Sequence, residues 1–279
     1  MLSLYPRCAE LIDHADGLLI TAGAGMGVDS GLPDFRGPQG FWGAYPALGR
    51  ARIRFEGIAS PAAFKTHPRL AWGFYGHRLT LYRTTVPHEG FSILRRIGER
   101  LTNGYFVFTS NVDGQFQRAG FDEQRIDECH GSIHHLQCLE ACANEIWPAD
   151  DWHPAVEEEH CLLTSGFPEC PNCHGIARPN ILMFGDWGWV DRRNAMQSRR
   201  LNAWLNTVEH LLVIEVGAGT HIPTVRMMSE SQRGRLIRIN PTEPELGLAE
   251  GVSIAGGALE ALRGIEQALD DRQVQGAQS

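Results

Sequence analysis

Apolar residues follow two rhythms along this chain. Four short runs are almost continuously apolar: Gly17-Leu-Leu-Ile-Thr-Ala22, Tyr105-Phe-Val-Phe-Thr109, Leu211-Leu-Val-Ile-Glu-Val216 and Leu236-Ile-Arg-Ile-Asn240. Strands buried on both faces read this way, without alternation, so the runs predict a parallel sheet covered on both sides. Between them, residues 68–82, 192–208 and 257–268 carry apolar positions at helical spacing. The tail, 270–279, is polar and is expected to fray. Two segments break the alternation: 37–89, rich in aromatics with helical periods, and 132–179, which holds most of the cysteines. The expected fold is α/β, a doubly wound parallel sheet built from 1–36, 90–131 and 180–279. The helical insert 37–89 and the cysteine-rich module 132–179 should form a second, small lobe.

Composition narrows the partners. The 279 residues carry 25 Lys+Arg against 33 Asp+Glu, a net charge of −8, so no nucleic-acid partner is expected. The longest apolar runs fall far short of the roughly 20 residues that cross a bilayer, so no membrane association is expected either. Residues 1–10 contain Arg7 and Glu10 and no apolar leader core; the expected location is cytoplasmic. Glycine, at 31 residues, exceeds the usual share of about 7% and predicts several tight turns.

One such turn, Gly23-Ala-Gly-Met-Gly27, follows the first strand directly. Doubly wound sheets place a phosphate-binding turn here, because glycine lets backbone amides approach a pyrophosphate. Val28 stands where a dehydrogenase fingerprint has its third glycine, and no acidic residue closes a second strand about 20 residues on, which disfavours an ordinary dehydrogenase. Asn111, Asp113 and His130 lie just past strand ends, where open α/β sheets bind ligands. The unperturbed pKa of histidine suits proton transfer near neutral pH; on their own residues, His134 and His135 read as structural. Cys138-x3-Cys142 and Cys170-x2-Cys173 form two close thiol pairs, the pattern of a structural zinc site with no open coordination position. Buried free thiols or a disulfide are the alternatives. Cys8, Cys129 and Cys161 read as packing residues.

The segment after the glycine turn, Asp29-Ser-Gly-Leu-Pro-Asp-Phe-Arg-Gly37, makes the whole resemble the sirtuin (Sir2) signature. Further segments resemble sirtuin motifs in the same order: Thr109-Ser-Asn-Val-Asp-Gly114 with Arg118-Ala-Gly120, Glu128-Cys-His-Gly-Ser132, Arg178-Pro-Asn-Ile-Leu-Met-Phe-Gly185, and Gly217-Ala-Gly219 with Ile239-Asn240. The resemblance implies a Rossmann-like domain with a zinc-ribbon lobe, and NAD-dependent removal of acyl groups from protein or peptide lysines. The acyl oxygen would attack the ribose as nicotinamide leaves, giving O-acyl-ADP-ribose. It implies NAD contacts along Gly23, Ala24, Gly25, Met26, Asp34, Phe35, Arg36 and Trp42, with Phe35 shielding the ribose and Arg36 near the phosphates. Ser110, Asn111, Val112 and Asp113 would line the nicotinamide side. Gly217, Ala218 and Gly219 would cradle phosphate, and Asn240 would hold the adenine-side ribose. His130 would be the general base, with Asn111 and Asp113 the other catalytic residues, and the substrate would lie near Phe184 and Gly185. It also implies Zn2+ held by Cys138, Cys142, Cys170 and Cys173. Cys142 departs from the common x2 spacing, which leaves His135 or Cys161 as substitute ligands.

Within Trp72-Gly-Phe-Tyr-Gly-His-Arg78, Tyr75 and Arg78 are three apart and share one side of a helix. An arginine fork with a phenol suits a carboxylate, and the pair matches the class III sirtuins, which implies succinyl or malonyl substrates. Gly27, Ser110 and Gly217-Ala-Gly219 depart from the family by losing or shortening polar side chains, and Asp186-Trp-Gly-Trp189 is unlike its usual continuation. These departures keep open a mono-ADP-ribosyltransferase, an NAD glycohydrolase, or a non-catalytic NAD- and zinc-binding module.

Overall fold

The structure, a computed structural model, describes residues 4–34, 37–247 and 249–276. The apolar runs are strands β1 (Gly17–Ala22), β2 (Tyr105–Thr109), β9 (Leu211–Val216) and β10 (Arg235–Ile239). Two further strands, β3 (Ile126–Glu128) and β11 (Gly251–Ile254), join them in one sheet ordered β11-β10-β9-β1-β2-β3, parallel at every pairing. Neither stood out in the apolar pattern, because each is short and carries polar residues, Asp127 and Glu128 in one and Ser253 in the other.

The central strand shows why its sequence does not alternate. Leu18 and Ile20 pack with the helices Tyr5–Asp13, Glu89–Glu99 and Ala258–Gly276, while Leu19 packs with Phe106, Val213 and Leu201 on the opposite face. All six residues of β1 are buried, and each buried Leu or Ile contributes about 1.5–3 kcal/mol. The helix Ala258–Gly276 takes in residues 270–276 of the segment expected to fray. Leu269 is buried, and Arg272 pairs with Asp13 at 2.8 Å, so the first and last helices hold each other. The helix Arg192–Leu205 stops short of the expected residue 208, since Val208 turns back to pack over Gly17.

One charge network lies inside the sheet. Glu215 of β9 and Arg238 of β10 are register partners, both about fully buried, with Nε to Oε1 at 2.6 Å; Glu230 adds a second carboxylate at 2.7 Å. Glu230 belongs to the helix Thr224–Ser231, so this bidentate pair also anchors that helix over β9.

A second assembly is built from the helices Pro46–Arg50, Phe55–Ile58, Pro61–Thr66 and Pro68–Thr84 and from β4 (Gly131–Cys138), β5 (Ile146–Pro148), β6 (Val156–Glu157), β7 (Leu162–Leu163) and β8 (Ala177–Ile181). β4 lies between β5 and β8 in an antiparallel sheet, and β6 pairs with β7. Phe41, Leu48, Phe64, Trp72 and Tyr75 share one hydrophobic cluster with Ile133, Leu136, Leu163 and Ala177. Residues from the two sequence inserts therefore bury each other, and the indole of Trp72 donates to Ala177 O at 2.9 Å across the junction.

Gly73 is the closest point of that junction: a Cβ there would lie 1.9 Å from Cys161 O. Gly73→Ala must therefore push the Pro68–Thr84 helix off the β7 backbone. Thermal unfolding should show a loss of about 2–4 kcal/mol, in the range of overpacked or strained core sites. An unchanged midpoint would contradict this packing.

Candidate active site

Two glycine turns meet where the strand order reverses, between β1 and β9. After Ala22 the chain enters a 3-10 stretch, Ala24–Ser30; after Val216 it turns at Gly217, whose φ is +64°. Gly23 N donates to Val216 O and Gly25 N to Gly217 O, each at 3.0 Å. A Cβ on Gly217 would come within 2.4 Å of Gly25 Cα, so the contact is backbone against backbone. Gly25, Val28, Asp29, Asp34, Gly217 and Ile239 are among the residues lining a cavity of about 100 Å³ at this crossover. Ala218 O accepts Asn240 Nδ2 at 2.8 Å and the buried Arg226, which hold the second turn from β10 and from the Thr224–Ser231 helix. Gly219 is exposed and is followed by Thr220, whose N–H and hydroxyl both bond the Glu243 carboxylate at 2.9 Å.

The end of β2 is tied to the same turn. Ser110 N donates to Ala22 O at 3.2 Å, and Asn111 Nδ2 donates to Gly23 O at 2.9 Å. Val112 packs into the second assembly's core. Asp113 is buried, with Oδ1 accepting from Gln115 N at 2.9 Å. Burial pushes its carboxyl up to about 6; the nearby Glu128 carboxylate acts in the same direction and the Arg78 guanidinium against it.

His130 sits between β3 and β4. Its ring hydrogen-bonds the Ser110 backbone, and Nε2 faces the Thr224 hydroxyl at 3.5 Å. Burial lowers its pKa, so the imidazole is neutral, the form that accepts a proton. Its carbonyl accepts from Leu182 N at 2.9 Å, which ties the chain after β8 to the site. Sequence reasoning missed Thr224; its place at a helix start just past the Gly217 turn was the available signal. His134 is structural in this sense: Nε2 donates to Asp113 O at 2.9 Å.

Tyr75 and Arg78 do come together. The guanidinium lies 5.6 Å from the Tyr75 ring centroid, 5.1 Å from that of Phe74 and 5.3 Å from that of Tyr82, and Nε donates to Tyr82 Oη at 2.9 Å. Both side chains are buried, and Arg78 is close enough to Asp113 to lower its pKa. Phe184 is half-exposed, edge-on to Phe55 at 5.8 Å, and Gly185 follows it at φ +66°. Trp42 is directed elsewhere: its indole donates to Ile53 O at 2.7 Å and its ring packs on the aromatic cluster. Phe35 and Arg36 lie outside the described residues.

The sulfurs of Cys138, Cys142, Cys170 and Cys173 lie within 4.8 Å of one another, with 3.7 Å between Cys138 and Cys173 and 3.6 Å between Cys142 and Cys170. A tetrahedral zinc with Zn–S bonds of about 2.3 Å sets S–S edges of about 3.8 Å, so these four thiols fit that ion. The x3 spacing of the first pair is absorbed by Ala141, at φ +47°. Cys161 is buried beneath Gly73 and lies outside this group, as does His135.

A family model described as the Sir2 family matches residues 23–219. The chain is 32% identical over 257 residues to an NAD-dependent protein deacylase of Deinococcus radiodurans, covering 90% of this chain and 93% of that protein. It is 29% identical over 228 residues to one of Aquifex aeolicus, covering 81% and 84%. It is 31% identical over 191 residues to the mitochondrial deacylase sirtuin-5 of Danio rerio, covering 63% of this chain and 59% of that protein. The fold superposes on a solved Sir2 homologue in complex with NAD with a TM-score of 0.72 and 23% identity, over 95% of this chain and 93% of the other.

Two outcomes follow from the geometry. Asp113 is neutral in both folded and unfolded chains only below about pH 3; from there to about pH 6 the unfolded chain ionises while the folded chain holds the proton, and above its raised pKa both are charged, the folded one at the cost of burial. Asp113→Asn should therefore leave stability nearly unchanged at pH 3 and raise it by about 3 kcal/mol at pH 7.5, read as thermal midpoint against pH. A pH-independent difference would contradict the burial argument. Removing the metal with a strong chelator should release about one zinc per chain and lower the thermal midpoint, and Cys142→Ser should weaken retention; elemental analysis with no zinc would exclude the site.

Proposed function

This chain belongs to the Sir2 family, and on that premise we propose that it removes acidic acyl groups, succinyl or malonyl, from protein lysines with NAD as co-substrate. It is an enzyme of the NAD-dependent protein deacylase type. The observation that carries the acidic preference is Arg78, a buried guanidinium beside Tyr75 that reaches electrostatically to Asp113. A buried fork beside a phenol would gain charge-assisted hydrogen bonds from a substrate carboxylate and nothing comparable from an acetyl methyl.

In this reading NAD lies across the β1/β9 crossover. The turns Gly23, Ala24, Gly25 and Met26 and Gly217, Ala218 and Gly219 would border its phosphates; Gly25, Gly217 and Asp34 line the cavity between them. Asn240 stands at the adenine-side ribose, its amide already fixed on Ala218 O. Asn111 and Asp113 border the nicotinamide. Asn111 is pre-set by its bond to Gly23 O, so it needs no reorganisation when the ligand arrives. Once the acyl oxygen has displaced nicotinamide from the ribose, His130, neutral and held at Ser110 and Thr224, would accept the proton of a ribose hydroxyl, whose oxygen attacks the imidate carbon; water then completes the release of lysine and O-acyl-ADP-ribose. The acyl-lysine enters beside Phe184 and Gly185. The four thiols, once they hold zinc, tie β4 to the segment before β8 and offer no site to a water molecule. Thr224 takes its place here as a residue that orients His130.

The test is mass spectrometry of succinyl-, malonyl- and acetyl-lysine peptides incubated with enzyme and NAD. Loss of the acyl mass, fastest for the acidic groups, is the expected result. Nicotinamide release without acyl loss, or a peptide gaining the mass of an ADP-ribose, would overturn the proposal. Arg78→Met should lower kcat/KM for succinyl-lysine by about 10–100-fold, as for a lost charge-assisted pair, and acetyl-lysine turnover far less; equal losses would sink the acidic-acyl assignment. His130→Ala should reduce turnover of every acyl peptide by about 100-fold or more, with the thermal midpoint retained as a check on folding.

A further inference from the structure

Trp187 is 100% exposed, although its turn is one of the most heavily anchored in the molecule. Asp186, its neighbour, has a wholly buried carboxylate. Oδ1 accepts from Arg178 Nη2 at 2.8 Å and from Gly188 N at 3.1 Å, and Oδ2 accepts from Met183 N at 3.3 Å. On the far side, Gln137 of β4 donates to Gly188 O at 2.7 Å and accepts from Val190 N at 3.0 Å. Trp189, by contrast, is half-buried. The backbone on both sides of Trp187 is thus fixed by buried groups, while the indole itself has no place in the core. A single exposed apolar side chain is ordinary on a protein surface; what sets Trp187 apart is that buried groups fix the backbone on both sides of it.

The position of the turn gives the indole a use. The same segment begins at Leu182, whose N–H bonds His130 O, and continues through Phe184, whose N–H bonds Ala59 O at 3.0 Å. Leu182 and Phe184 are each 38% exposed, so partly exposed apolar side chains recur along the segment that leads from His130 to Trp187. We propose that Trp187 is a specificity-determining residue that stacks on a basic side chain of the substrate polypeptide, next to the acyl-lysine. The inference rests on the deacylase reading above. The basic choice follows from charge: the chain is net −8, which favours cationic segments, and an indole face attracts guanidinium or ammonium groups. Acylation removes the charge of the modified lysine, so a cation for Trp187 must come from a flanking residue.

The experiment uses the full chain and acyl-lysine peptides that carry Arg, Ala or Glu at each position from two before to two after the modified lysine. The wild-type enzyme should favour Arg at one of these positions by about two- to fivefold in kcat/KM, the range of an exposed cation–π contact. Trp187→Ala should erase that preference, through KM for the Arg peptide, and Trp187→Phe should keep part of it. An active wild type with no flanking preference, or a preference that survives Trp187→Ala, overturns the inference and leaves the deacylase reading intact. A wild type that removes no acyl group from any peptide overturns both. Concentration-dependent self-association that shields Trp187 from acrylamide quenching would assign the indole to a contact between copies of the chain and overturn the substrate role.

Discussion

The site depends on one backbone contact, the seating of the Gly217 turn against Gly25 at the crossover between β1 and β9. With no side chain at Gly25 or Gly217, two strand ends come close enough that both residues line one cavity. Everything else at this end of the sheet is referenced to that contact. Asn111 bonds Gly23 O, Asn240 bonds Ala218 O, and the Ser110 backbone, itself bonded to Ala22 O, holds the His130 ring. The departure that replaces Gly-Thr-Ser by Gly217-Ala-Gly219 removes hydroxyls from this turn, yet Thr220 beside it is occupied by Glu243, and Thr224 supplies a hydroxyl to His130 from the next helix.

Burial then sets the chemistry. Asp113 and Arg78 are buried and His130 is half-buried, and what lies next to each shifts its charge equilibrium. Arg78 keeps its charge among three aromatic rings, Asp113 is drawn toward its neutral form, and His130 is held neutral. In water these groups would differ little from any surface Arg, Asp and His; enclosed, their charge equilibria are pushed apart.

The second assembly explains why two inserts distant in sequence are needed. Each closes the other's core, with Trp72 on Ala177 and Gly73 under Cys161 as close points of contact. The four thiols stand at the far end of β4, where a bound metal would crosslink that strand to the segment before β8. Because β4 starts directly after His130, the same strand that leads into the thiol cluster also positions the proton acceptor.

Much of this was legible in the residues. Runs buried on both faces cannot alternate, so β1, β2, β9 and β10 announced a parallel sheet. Paired cysteines announced a metal site, and ordered motifs announced the family. Short strands such as β3 and β11 escaped because three or four residues carry too little periodicity, and the helix through residues 270–276 escaped because the helix that holds it, Tyr5–Asp13, is remote in sequence. The sequence could not decide between Cys142, His135 and Cys161 as the last thiol-site member, since that choice is made by a left-handed residue at Ala141. Nor could it separate Trp187 from Trp189, or find Thr224 opposite His130. Local pattern determines which elements form and which chemistry is available. Orientation, burial and charge state arise from contacts between distant segments, and only the tertiary structure decides those.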